Sequence, residues 1–93
     1  MQYKKKNGKS FIKVFGNIIG YYRKKLKKSI YLISAESSIA KSCWRELELG
    51  KREDIKLSTF CKIAEGLDIP PHELLKKLTD ELGEDFSFSD FDS

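Results

Sequence analysis

The sequence contains few of the residues that catalytic and metal sites use. It has two cysteines, Cys43 and Cys61, and one histidine, His72. The cysteines do not form a Cys-x-x-Cys pair, and a single histidine cannot complete a metal site with them at any usual spacing. No serine, cysteine or aspartate arrangement typical of a triad accompanies His72, and no glycine-rich phosphate loop is present. We therefore expect a protein that is not an enzyme and that uses no metal, cofactor or small-molecule substrate.

Long apolar runs are also missing. No stretch approaches the roughly 20 apolar residues that a membrane-spanning helix needs. The N-terminus is basic, but no apolar segment of signal-peptide length follows it. Two cysteines without a pairing pattern favour a reducing compartment. These features predict a cytoplasmic protein with no membrane partner.

Acidic residues are absent from the first part of the chain. Residues 1–28 contain ten lysines or arginines and no acid, whereas residues 80–93 contain six acids and no base. Residues 1–79 therefore carry a charge of +10, from eighteen bases and eight acids, and the six acids of residues 80–93 reduce the net charge of the chain to +4. A basic body of this kind attracts polyanions such as nucleic acid. An ordinary solvated surface is the alternative interpretation.

Apolar residues recur at helical spacing along most of the chain and predict an all-α fold of five helices. The expected helices cover residues 11–27, 30–37, 40–49, 57 or 58 to 66, and 71–82. Ser29 is a good N-cap, Gly50 a good C-terminal stop and Pro71 a good first residue. The side chains expected to face the core include Tyr22, Leu26, Leu32, Ile33, Trp44, Leu47, Leu74, Leu75 and Leu78.

Three parts of the chain are distinguished by composition. Residues 1–10 form a basic N-terminal arm, which is either a disordered terminus or a contact to DNA phosphates. Residues 11–82 form the helical domain. Residues 83–93 form an acidic tail with three phenylalanines, for which a disordered segment is the default and an edge strand on a partner the alternative.

Three segments occur in an order that resembles a known family. They are FGNIIGYYRKKLKKS, IAKSCWRELELGKR and LSTFCKIAEGLDIPPHELL. They are similar to the opening helix, the turn with its recognition helix, and the last two helices of phage-repressor-like (Cro-like, Xre-type) helix-turn-helix proteins. The resemblance implies a five-helix lambda-repressor-like DNA-binding domain. It also implies a transcription regulator, expected to be a repressor, that binds an operator in double-stranded DNA as a homodimer.

The resemblance also implies roles for individual residues. The outward face of the recognition helix would contact bases and phosphates through Lys41, Ser42, Cys43, Arg45 and Glu46. Ser29 at the second helix, and Lys51 and Arg52 after Gly50, would contact the DNA as well. Arg23 and Glu48 would form a structural ion pair between the first and third helices. For each outward residue, a solvated helix face is the alternative.

The sequence departs from the family pattern around the turn. Ile30 stands where a glutamine that bonds phosphate is usual, Ser38 where a glycine is usual, and Ala40 where a polar N-cap is usual. Ile30 and the acidic tail favour an alternative function, a protein-interaction module that engages its partner through the tail. The tail could also fold onto the basic face and inhibit DNA binding. Exposed tyrosines, with Tyr21, Tyr31 and Tyr3 as candidates, would suggest a protein interface, and we expect the dimer surface at the fifth helix and the tail.

Overall fold

The computed structural model describes residues 10–90 and shows five α-helices with no strand in that range. They are α1 (Phe11–Lys25), α2 (Ile30–Ser37), α3 (Lys41–Glu48), α4 (Leu57–Gly66) and α5 (Pro71–Leu82), followed by a short 3₁₀ turn at Phe88–Asp90. The prediction of an all-α, five-helix fold is confirmed. The predicted arm at residues 1–9 and residues 91–93 of the tail lie outside the described residues.

Two helices are shorter than their apolar patterns predicted. α1 ends at Lys25 rather than at residue 27, because Lys27 adopts a left-handed backbone with φ of 59°. The Lys28 N–H then donates to the Arg23 carbonyl oxygen at 3.2 Å, which closes the helix end. α3 covers Lys41–Glu48, with Ala40 and Leu49 as caps rather than as helical residues. The bounds of α2 and α5 agree with the prediction.

The core lies between the five helices, all of which contribute buried side chains. α1 packs against α3 and α5, α2 packs against α3 and α4, and α4 packs against α5. Each helix supplies at least one large side chain that is less than 2% exposed. The set is Phe15 and Ile19 from α1, Ile33 from α2, Trp44 and Leu47 from α3, Ile63 from α4, and Leu74 and Leu82 from α5.

Three leucines that were expected in the core are exposed instead. Leu26 is 39% exposed because it is the C-cap of α1 and lies beyond the buried stripe. Leu32 is 42% exposed and Leu75 is 49% exposed. Neighbouring residues on a helix point about 100° apart, so Ile33 and Leu74 take the inward positions and leave Leu32 and Leu75 outside. Tyr22 is half-buried at the edge of the core.

A glycine on α1 allows α3 to approach closely. A Cβ atom at Gly16 would overlap the carbonyl oxygen of Leu47, near the end of α3. One turn later, a Cβ at Gly20 would lie 3.3 Å from the Glu48 carboxylate. This face of α1 therefore fixes the C-terminal end of α3 against the body of the domain.

The start of the acidic tail folds back onto the domain. Phe86 packs against the core, and the ring of Phe88 meets the ring of Phe11 edge-on at 5.5 Å between centroids. Neither predicted state, a disordered segment or an edge strand, describes residues 84–90. The two phenylalanine rings also contact each other at 4.8 Å.

Within residues 10–90, none of the helices is both long and apolar enough to cross a membrane.

Candidate nucleic-acid interface

α2 and α3 are joined by a tight turn that is held by hydrogen bonds and by one buried side chain. The Ser29 hydroxyl oxygen accepts a hydrogen bond from the Leu32 N–H at 3.0 Å and caps α2. Ser38 then adopts a left-handed backbone with φ of 59°, and the Ile39 N–H donates to the Ser34 carbonyl oxygen at 3.1 Å. Ile39 is buried and anchors the turn in the core. α3 consequently begins at Lys41, with Lys41 and Ser42 exposed.

α3 has one buried face and one exposed face. Trp44 and Leu47 are at most 1% exposed and fix the helix to the core. The structure places Lys41, Ser42, Arg45 and Glu46 on the exposed face and leaves Cys43 half-buried. A helix held at one face, with its N-terminal half exposed, has the shape that enters a DNA major groove about 12 Å wide.

The C-terminal end of α3 brings Glu46 and Arg52 together. Gly50 adopts a φ of 69°, and the Lys51 N–H donates to the Glu46 carbonyl oxygen at 2.9 Å, so the chain reverses after the helix. Arg52 Nε then donates to Glu46 Oε1 at 3.1 Å, with both side chains close to half exposed. Lys51 is exposed at the same end of α3. The pair Glu46–Arg52 reduces the positive charge that Arg52 adds to the exposed face.

Arg23 and Glu48 form a bidentate ion pair between α1 and α3. Arg23 Nε donates to Glu48 Oε2 at 2.5 Å, and Arg23 Nη2 donates to Oε1 at 2.9 Å. Arg23 Nη1 also donates to the carbonyl oxygen of Lys28, just before α2. One guanidinium therefore connects α1, the α1–α2 turn and the last residue of α3.

The Glu48 carboxylate has a second donor that the sequence pattern did not predict. Trp44 Nε1 donates to Glu48 Oε2 at 2.5 Å. The spacing of four residues on one helix is the signal that could have indicated this contact. Burial raises the pKa of Glu48, but the hydrogen bonds from Arg23 and Trp44 and the positive charge of Arg23 outweigh it, so the pKa lies below its ordinary value. The pKa of Arg23 is raised, chiefly by its hydrogen bonds to Glu48.

The exposed tyrosines do not form one cluster. Tyr21 contacts Tyr22 at 5.6 Å between ring centroids and lies beneath the Lys25 ammonium. Tyr31 instead lies at the start of α2, with the Lys41 ammonium 5.6 Å from its ring centroid. Tyr3 is outside the described residues. Among residues 10–90 the exposed tyrosines are therefore scattered, and Tyr31 lies next to the exposed N-terminal end of α3.

Two solved structures with a similar fold are regulatory proteins. The restriction-modification controller protein C.AhdI from Aeromonas hydrophila is 28% identical, with a TM-score of 0.64, and the match covers 68% of this chain and 94% of that one. SinR, a master regulator of biofilm formation solved in complex with DNA, is 26% identical over 66% of this chain and 97% of that one, with a TM-score of 0.61. No protein-family model and no curated protein matches the sequence.

The predicted resemblance to Cro-like, Xre-type helix-turn-helix regulators is confirmed by these structural neighbours. The clp gene regulator ClgR from Corynebacterium glutamicum has the same fold at 12% identity, with a TM-score of 0.69 and coverage of 77% of this chain and 76% of that one. In this fold, α2 and α3 correspond to the two helices of the helix-turn-helix. Ile30, which replaces the usual glutamine, is half-buried against the core rather than exposed at the helix start.

Among the described residues, no group of three or more histidine, cysteine, aspartate or glutamate side chains could hold a metal ion. His72 is exposed near the start of α5. Cys43 and Cys61 are both free and half-buried.

Proposed function

We propose that this protein is a transcription regulator that binds operator sequences in double-stranded DNA. The observation that carries the proposal is the placement of α3, whose buried face and ion pair hold it against the core while Lys41, Ser42 and Arg45 remain exposed. The DNA complex of SinR, with a similar fold, supports the same use of the domain. The proposed activity is binding and involves no chemical reaction.

Each exposed residue of α3 has a role that its chemistry supports. Arg45 can donate two hydrogen bonds to guanine, and Ser42 can bond a base edge or a phosphate. Lys41 and Lys51 would neutralise phosphates, which positions the protein without reading sequence. Glu46 either keeps Arg52 in its ion pair or accepts a hydrogen bond from cytosine. Cys43 is half-buried and has less access to DNA than its neighbours.

Ser29 keeps the capacity to contact a phosphate while it caps α2. Its oxygen accepts from the Leu32 N–H, and the hydroxyl hydrogen is still available to donate. Ser29 is exposed, so a phosphate can reach it. Within the proposal, Ser29 is a contact to the DNA backbone and carries no sequence information.

We also propose that the regulator is a homodimer. Three large apolar side chains, Leu57, Leu75 and Phe88, are 77%, 49% and 49% exposed and line one groove. A contiguous exposed apolar surface of this kind commonly marks an interface. Two copies related by a two-fold axis would place their recognition helices about 34 Å apart, which is one turn of DNA. A single domain, whose recognition helix has eight residues, cannot span that distance. A second copy of this chain is therefore the occupant that we assign to the groove at α4, α5 and the tail.

A binding titration with matched variants tests DNA recognition. Duplexes from upstream of the protein's own gene and scrambled duplexes are titrated by fluorescence anisotropy between 50 and 200 mM salt. Arg45→Ala should reduce discrimination between the two duplexes by roughly 5- to 100-fold, whereas Lys51→Ala should weaken both equally and reduce the salt slope by about 0.9. Lys77→Ala, an exposed lysine on α5, is the control. Binding by the unmodified protein without sequence preference would contradict the proposal.

The same titration, combined with sedimentation, tests the dimer. Leu57→Lys should leave the helical fold intact, because Leu57 is 77% exposed, but should shift the protein to monomer and weaken operator binding. Equal dimerisation of this variant and of the unmodified protein would rule out the groove as the interface.

A further inference from the structure

Tyr31 is an exposed aromatic residue at the start of α2. Its side chain is 72% exposed, so it contributes little to the core. Among the described residues, its hydroxyl has no hydrogen-bond partner and its ring has one neighbouring cation, the Lys41 ammonium at 5.6 Å from the ring centroid. Lys41 is the first residue of α3. The contact therefore connects the exposed ends of the two helices of the helix-turn-helix.

The contact is too weak to be explained as a stabilising element of the fold. An exposed cation–π pair contributes about 0.5–1 kcal/mol, and the hydrophobic effect of a ring that is 72% exposed is small. The contact also restricts the conformations of the Lys41 side chain. A lysine side chain has many rotamers, and placing its ammonium over a ring restricts where that charge is presented.

The hydroxyl of the same ring adds a neutral donor beside a positive charge. Phosphate oxygens accept hydrogen bonds from tyrosine hydroxyls as well as from lysine ammonium groups. A phosphate that the Lys41 ammonium approaches comes close to the ring over which that ammonium lies. The two groups can then contact one phosphate together.

We propose that Tyr31 is a further DNA-contact residue, whose ring positions Lys41 and whose hydroxyl donates to the phosphate that Lys41 neutralises. This inference rests on the proposed DNA-binding function. It assigns a role to a residue of α2, outside the recognition helix, and makes Lys41 and Tyr31 one phosphate-binding unit.

Two substitutions separate the two roles of Tyr31. Tyr31→Phe removes the hydroxyl and keeps the ring, whereas Tyr31→Leu removes both and keeps apolar volume. The loss of a neutral donor should not change the salt dependence of binding, because no counterion release is involved. Lys41→Met should reduce the salt slope by about 0.9, since it removes one phosphate-neutralising charge.

The experiment measures affinity for the upstream and scrambled duplexes between 50 and 200 mM salt. Tyr31→Phe should weaken both duplexes by a similar factor, roughly 3- to 10-fold, with the salt slope unchanged. Tyr31→Leu should weaken binding further, and the additional loss should disappear in the Lys41→Met background, because the ring then has no ammonium to position. Tyr21→Phe, a 61% exposed tyrosine with its own lysine neighbour on α1, is the matched control and should bind normally.

Failure of this inference differs from failure of the proposed function. If Tyr31→Phe and Tyr31→Leu both bind like the unmodified protein while Lys41→Met and Arg45→Ala do not, Tyr31 has no role and the DNA-binding proposal stands. If the unmodified protein shows no salt-dependent binding to either duplex, both proposals are overturned. Circular dichroism melts accompany every variant. Tyr31→Phe, which is nearly isosteric, decides the role of the hydroxyl if Tyr31→Leu does not fold.

Discussion

At the scale of single residues, the Glu48 carboxylate is the group on which the orientation of α3 depends. It accepts hydrogen bonds from Arg23 on α1 and from Trp44 on its own helix, and it is largely buried. The sequence predicted an Arg23–Glu48 pair through a family resemblance. It did not predict the Trp44 contact, because the direction of an indole N–H depends on how the ring packs in the finished core. Buried ion pairs contribute less to stability than to a defined geometry, which is what a recognition helix requires.

Glu48 should make the stability of the domain depend on pH. Its pKa in the folded protein is below the ordinary value of 4.5, so the ionised form favours folding. This contribution is present above pH 4.5 and is lost as the pH falls through the lowered pKa. Urea denaturation between pH 3 and 7 should therefore show a shallower loss of stability on acidification for Glu48→Gln than for the unmodified protein. At pH 7 the variant should be less stable by about 1–3 kcal/mol.

The control for this measurement is Glu65→Gln. Glu65 is an exposed glutamate on α4 outside the ion pairs formed by the described residues. Its variant should follow the unmodified protein at every pH. Parallel acid profiles for Glu48→Gln and the unmodified protein would mean that the Arg23–Glu48 pair does not favour the ionised carboxylate.

At the scale of helices, α1, α2, α3 and α4 all end in the same way. A residue with a left-handed backbone follows each helix, and the next N–H donates to a carbonyl oxygen five residues earlier. The left-handed residues are Lys27, Ser38, Gly50 and Asp68. Only Gly50 was recognisable as a helix stop from its residue type. The others are non-glycine residues in a region that L-amino acids disfavour, so the helix ends are imposed by packing of the following residues, such as buried Ile39.

Ser38→Gly should stabilise the domain. Serine in the left-handed region is strained by about 1–2 kcal/mol, and glycine removes this strain while adding some entropy to the unfolded chain. Ser38 is exposed, and its side chain makes no hydrogen bond to a described residue. We expect a net gain of up to about 1 kcal/mol, measured by urea denaturation. Ser38→Ala, which keeps the strain, should show no gain, and a loss of stability in Ser38→Gly would contradict this account of the turn.

At the scale of the whole molecule, the acidic tail is part of the packed domain up to residue 90. Phe86 reaches the core and Phe88 contacts Phe11, so these two rings are used within the chain. An interaction module that offers the rings of Phe86 and Phe88 to a partner is disfavoured by this arrangement. The exposed half of Phe88 instead contributes to the groove that we assign to the dimer.

Truncation after Leu82 should destabilise the domain instead of releasing its DNA-binding surface. Removal of Phe86 exposes apolar core surface, and we expect a loss of about 1–3 kcal/mol in urea denaturation. Glu84→Gln, at an exposed residue of the same segment, is the control and should retain full stability. If the chain truncated after Leu82 instead keeps its stability and binds DNA more tightly, the tail is autoinhibitory.

The sequence by itself determined the number, the type and most boundaries of the helices, because helical period, N-caps and a terminal glycine act within a few neighbouring residues. It also indicated which residues of α3 face outward, since Trp44 and Leu47 define the opposite face. Only the tertiary structure decided that Leu74 rather than Leu75 is buried, that Tyr31 meets Lys41, and that Phe86 returns to the core. These contacts join residues from different elements, or choose between adjacent apolar side chains. Their energies therefore depend on the complete packing arrangement, which no local pattern contains.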